Sequence, residues 1–102
     1  MANTTLSAQN GVGEITLSAQ VWKEGATYIA FSPELDISSC GKTAAQAKSS
    51  LRQAVSLFME EAARMGTLTT ILEESGFERR GKTYRPRPVL AREKMKLALP
   101  AA

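Results

Sequence analysis

The chain has 102 residues, 43% of them hydrophobic and 23% charged, with a net charge of +3 that divides unevenly between an acidic body and a basic tail. This length and apolar content support one domain with one core, and a domain so small gains stability from a twin subunit, so a homodimer or larger oligomer is expected. A single cysteine excludes an internal disulfide, and with no signal-like leader and no membrane-length apolar run the sequence reads as a cytoplasmic protein away from membranes.

Residues 1–13, rich in Asn, Thr, Ser and Gly, are expected to form a flexible N-terminus. From Glu14 to Val21 the residues alternate, with Ile15, Leu17, Ala19 and Val21 on one face and Glu14, Thr16, Ser18 and Gln20 on the other, which predicts a half-buried strand. Gly25 then supplies a tight connection to a second strand, Thr27 to Ser32, and the two should pair as an antiparallel hairpin. Pro33 cannot donate to a ladder and stops that strand, and Ile37 to Cys40 make a short third one before Gly41.

Thr43 and Gln46 have capping-box spacing, so a helix is expected from about Ala44. Ala44, Ala47, Leu51, Ala54, Val55, Phe58 and Ala62 fall on one stripe that must cover the sheet, with Leu51 and Phe58 supplying most of the buried volume. Met59 and Met65, on or beside that stripe, are read as core filling. Gly66 stops the helix, and a shorter one, Leu68 to Ser75, follows with Thr67 as its cap and Gly76 as its terminator. Phe77 to Tyr84 are open to forming a strand or a hairpin around Gly81, and Val89 to Leu99 read as a basic helix.

The segment Tyr28-Ile29-Ala30-Phe31-Ser32-Pro33-Glu34-Leu35-Asp36-Ile37, then Gly41-Lys42-Thr43, then a helix bearing Ala47, Leu51, Ala54, Val55, Leu57 and Phe58, resembles the HicB family of antitoxins. The shared pattern is a strand ending in a Pro-Glu-Leu turn, a Gly-x-Thr helix entry and an alanine- and leucine-rich amphipathic helix, and it spans most of residues 14–77. The resemblance implies an α+β fold in which a three-stranded antiparallel sheet packs on one main helix, a partial ribonuclease-H-like arrangement without nuclease activity. It also implies a non-catalytic protein that binds and neutralises a HicA-type RNA-cleaving toxin and needs no cofactor. Tyr28, Pro33, Glu34, Leu35 and Asp36, in and before the motif turn, are the candidate partner-binding residues. After Gly76, where complete family members carry a separate DNA-binding domain, this chain has only a basic extension, residues 78–102.

Other chemistry is poorly supplied. Glu34, Asp36 and Glu14 are too few and too linear in sequence to promise a two-metal site, so a solvated turn or a partner-contact edge is the better reading of the acidic pair. The chain has no histidine, the commonest acid-base group and zinc ligand, so Cys40 has no activating partner and reads as a small packed side chain. Gly11-x-Gly13 lacks the third glycine of a dinucleotide loop and precedes a strand. Trp22, beside the hairpin turn, suits either an interface or the closure of the core.

The tail supports an alternative. Residues 1–76 carry five basic and eight acidic side chains, net −3, whereas from Phe77 onward Arg79, Arg80, Lys82, Arg85, Arg87, Arg92, Lys94 and Lys96 stand against Glu78 and Glu93, net +6. Arg79, Arg80, Lys82, Arg85 and Arg87 suit nucleic-acid phosphates, with Tyr84 available to stack on a base. A HicB-like module without a toxin, binding nucleic acid through this tail, is thus the second candidate. A solvated tail or a hairpin packed on its own body is the unspecialised one.

Overall fold

The computed structural model describes residues 2–7 and 13–101. Along the chain run β1 (Ala2–Ser7), β2 (Glu14–Glu24), β3 (Thr27–Ser32), β4 (Ile37–Gly41), α1 (Ala44–Arg64), α2 (Leu68–Glu74), β5 (Phe77–Arg80) and β6 (Thr83–Pro86). The class is α+β, as expected, but the sheet is larger than three strands. Its main order is β4-β3-β2-β6-β5, and β1 pairs antiparallel with β2, Ala2 opposite Ala19 and Ser7 opposite Glu14.

Two segments account for the difference. Ala2–Ser7 is a strand where a flexible terminus was expected, while residues 1 and 8–12 of that stretch lie outside the described residues. The hairpin around Gly81 forms, and it joins the body: β6 pairs in parallel with β2, Glu14 opposite Thr83 and Ile15 opposite Tyr84. A division after Gly76 or Phe77 therefore cuts through the sheet. At this junction the Glu14 N–H donates to Lys82 O at 2.9 Å, and a Cβ on Gly13 would lie 2.4 Å from the same oxygen, so only glycine lets the two backbones approach.

The local signals of the central unit hold. Val21 pairs with Ala30 and Glu24 with Thr27 in the β2–β3 hairpin, and β3 stops at Ser32, before Pro33. The Gln46 N–H donates to Thr43 Oγ1 at 3.0 Å, while Gln46 Oε1 accepts from the Lys42 N–H at 2.9 Å, so the capping pair closes on Lys42. Thr67 caps differently from expectation: its hydroxyl donates back to Ala62 O at 3.3 Å, tying α2 to the end of α1.

One buried cluster joins β2 (Ile15, Leu17, Ala19), β3 (Ala30), α1 (Ala47, Leu51, Val55), α2 (Leu72) and β5 (Phe77). Tyr28, Leu35, Ile37, Met59, Leu68 and Tyr84 pack against it. Phe58, expected at its centre, is only half-buried, and it is the equally half-buried Met59 that packs against the cluster. The helix is rotated toward Val55 and Met59 by a fraction of a turn, a choice that 3.6-residue periodicity fixes only coarsely. Met65, expected to fill the core, is 67% exposed just beyond the end of α1. Residues 87–101 form neither helix nor strand and are exposed, so the basic helix expected over Val89–Leu99 is not formed. A helix that short has little stability in water without a packed apolar face.

Candidate functional site

The motif turn is built mainly from inward-directed groups. With the ladder of β3 ended by Pro33, the Ser18 N–H of β2 donates to Glu34 Oε1 at 3.1 Å, and the buried Ser32 hydroxyl donates to the same oxygen at 3.3 Å. The Glu34 carboxylate thus does what a backbone carbonyl would have done had the ladder continued. Leu35 and Tyr28 pack against the core, and Lys23 Nζ lies 5.6 Å from the centre of the Tyr28 ring. Asp36 has a left-handed backbone (φ 55°), which aspartate tolerates better than most residues. Of the five candidate contact residues, Pro33 and Asp36 are exposed, while Tyr28, Glu34 and Leu35 hold the turn in shape.

A second surface lies on the sheet face opposite α1. Because directly opposed residues share a face, the pairs Trp22–Ile29, Gln20–Phe31, Ile29–Cys40 and Phe31–Ser38 place Trp22, Ile29, Phe31 and Cys40 together on that side. The side chains of α1 cover only the other face, that of Leu17, Ala19 and Ala30. Trp22 is 40% exposed, packs edge to face on Phe31 with ring centroids 6.2 Å apart, and donates from Nε1 to Glu24 Oε1 at 3.1 Å. Cys40, expected to be packed, is exposed here. The result is an aromatic and aliphatic centre beside uncharged Gln20 and Ser38, the composition of a protein-binding patch.

Trp22 was legible in sequence as an interface candidate, but Ile29, Phe31 and Cys40 were not. In Thr27–Ser32 both faces carry apolar residues, so alternation alone does not tell which one the helix covers.

The hairpin divides the basic residues that the sequence placed in one run. Phe77 opposes Pro86 and Arg79 opposes Tyr84 on the core side, so Arg80 and Arg85 fall on the opposite side with Glu78 and Thr83. Arg79 Nε donates to Gly81 O at 2.9 Å, Lys82 sits in the turn, and the Arg87 N–H donates to Gly76 O at 3.2 Å. Tyr84, proposed to stack on a base, packs half-buried against the core. These residues do not form a single cationic stripe.

Among the described residues no three His, Cys, Asp or Glu side chains are grouped to hold a metal ion, and no helix is long and apolar enough to cross a membrane. No family model, curated protein or solved structure matches the chain.

Proposed function

We propose that this chain is a non-catalytic protein-binding module of the HicB antitoxin kind, acting in the cytoplasm by covering a small RNA-cleaving toxin of the HicA type. The observation that carries this reading is the sheet face that α1 does not cover, where Trp22, Ile29, Phe31 and Cys40 form a largely apolar patch with the character of an interface centre. The β2-β3-β4-α1 succession, with its Pro33–Asp36 turn and Gly41–Thr43 helix entry, supports a HicB-like, partial ribonuclease-H-like arrangement.

The test is co-expression with the toxin encoded beside the gene, followed by pull-down. The wild-type chain should rescue growth and capture the toxin. Trp22→Ala and Asp36→Lys should weaken capture, whereas the double reversal Glu73→Lys and Glu74→Lys, on α2, should leave it intact. Reversal of Glu34 is a poorer reporter, because it also breaks the Ser18 contact. Failure of the wild-type chain to bind or rescue overturns the reading. RNA binding with a steep salt dependence, carried by residues 87–101, would favour the alternative of a nucleic-acid-binding module.

A further inference from the structure

Residues 87–101 hold five large apolar side chains with no place in the molecule that carries them. Leu90 is 99% exposed and Leu99 92%, and Val89, Met95 and Leu97 are likewise exposed. The same stretch is cationic, with Arg87, Arg92, Lys94 and Lys96 against Glu93 alone. From Lys94 to Leu97 charge and apolarity alternate, and in an extended chain Met95, Leu97 and Leu99 fall on one side and Lys94 and Lys96 on the other. The segment is exposed throughout, and the molecule as a whole is extended: the radius of gyration is 15.8 Å and the longest dimension 51 Å, against about 13 Å expected for the radius of a compact chain of this length.

The helical half of the molecule carries the converse surface. On α1, Leu57 is 65% exposed beside half-buried Ala54 and Phe58, and Met65 continues the apolar run past the end of the helix. Leu57 is turned away from the buried stripe of Ala47, Leu51, Val55 and Ala62, and half-buried Ala54 and Phe58 lie along the edge of that stripe. On the same helix Glu60 and Glu61 are exposed, Glu61 bonded to Arg64. An apolar flank beside Glu60 and Glu61 and an apolar segment set among cations are thus both exposed among the described residues of one copy.

We propose that the C-terminal segment is an exchange arm: residues 88–101 of each copy lie along the Leu57, Phe58 and Met65 flank of α1 in a second copy, giving two equivalent contacts about a twofold axis. Apolar burial on Leu57 and Phe58 supplies affinity, and Lys94 and Lys96 against Glu60 and Glu61 set direction. Reciprocal exchange closes the assembly at two copies, so neither surface is left to recruit a third. This goes beyond the toxin-binding reading, since the arm and the α1 flank are separate from the Trp22 face.

Sedimentation or light scattering on the full chain reads the oligomer directly. The wild type should be a dimer at micromolar concentration. Leu97→Glu with Leu99→Glu in one variant, and Leu57→Glu in another, should each raise the dimer Kd about tenfold or more while keeping the circular dichroism spectrum of the wild type. Mixing these two variants should give a heterodimer tighter than either variant's homodimer and weaker than the wild type, because one of its two contacts, the arm of the Leu57→Glu copy on its partner's flank, is intact. Charge exchange gives an independent arm: Lys94→Glu with Lys96→Glu should weaken the dimer, and combining them with Glu60→Lys and Glu61→Lys should restore it. A wild-type monomer at 100 µM, on the order of the highest concentration useful here, overturns the proposal. So does a dimer unmoved by arm and flank variants, or a failure of the Lys94→Glu, Lys96→Glu, Glu60→Lys and Glu61→Lys combination to dimerise more tightly than the Lys94→Glu, Lys96→Glu variant. None of these outcomes bears on toxin capture, which is read separately by pull-down.

Discussion

Gly41 lies beneath the first turn of α1, where a Cβ would fall 2.6 Å from the Ala47 backbone nitrogen and 2.7 Å from Gln46 Cβ. The helix entry Gly41-Lys42-Thr43 is thus a packing requirement as well as a capping signal: α1 can settle onto β4 only if no side chain intervenes. Gly41→Ala should destabilise the protein by about 1–3 kcal/mol, the usual cost of overpacking, seen as a lowered urea midpoint. Core residues separate in the same way. Leu51→Ala, at a buried position, should cost about 2–5 kcal/mol, whereas Phe58→Ala, at a half-buried one, should cost about 1–2 kcal/mol. Equal losses at the two positions would place the phenyl ring in the core after all.

At the scale of elements, the C-terminal quarter divides at Pro86. The β5–β6 hairpin extends the sheet through the parallel β6–β2 pairing and brings Phe77 into the core and Tyr84 against it, while residues 88–101 are exposed and form neither helix nor strand. Deleting residues 88–102 should therefore leave the thermal midpoint of the monomeric fold nearly unchanged, and deleting 79–102 should lower it by many degrees or abolish cooperative unfolding. Removing β6 exposes Ile15 and the edge of β2 together, which costs both apolar burial and ladder hydrogen bonds. Differential scanning calorimetry on the two truncations, at concentrations below dimer formation, makes the comparison. Matching transitions would mean that the hairpin contributes nothing to the body.

Considered as a whole, the molecule has three distinct surfaces: a helix-covered core, an open sheet face centred on Trp22, and an apolar arm with its counterpart on α1. The open face is expected to bury tryptophan on binding a protein, so adding a captured toxin should shift Trp22 fluorescence to the blue, the chain having no second tryptophan to confuse the signal. An unchanged emission spectrum on saturation would move the interface elsewhere. Because the arm is on another surface, dimerisation alone should leave the same emission unshifted.

What the sequence by itself determined was local. Alternation over Glu14–Val21, the Gly25 turn, the stop at Pro33, the Thr43–Gln46 cap and the 3.6-residue stripe of α1 each depend on neighbours a few positions apart, and each appears in the fold. Tyr28 and Leu35, candidate contact residues by the family resemblance, pack against the core instead. Tertiary structure decided the rest. Pairing of β6 with β2 joins opposite ends of the chain and has no local signature. The rotation of α1 that favours Met59 over Phe58 depends on the shape of the sheet beneath it. Glu34 turned inward because the end of β3 left the Ser18 N–H of a neighbouring strand in need of an acceptor. The open face emerged only when register put Ile29, Phe31 and Cys40 beside Trp22, on the side that the single long helix does not cover.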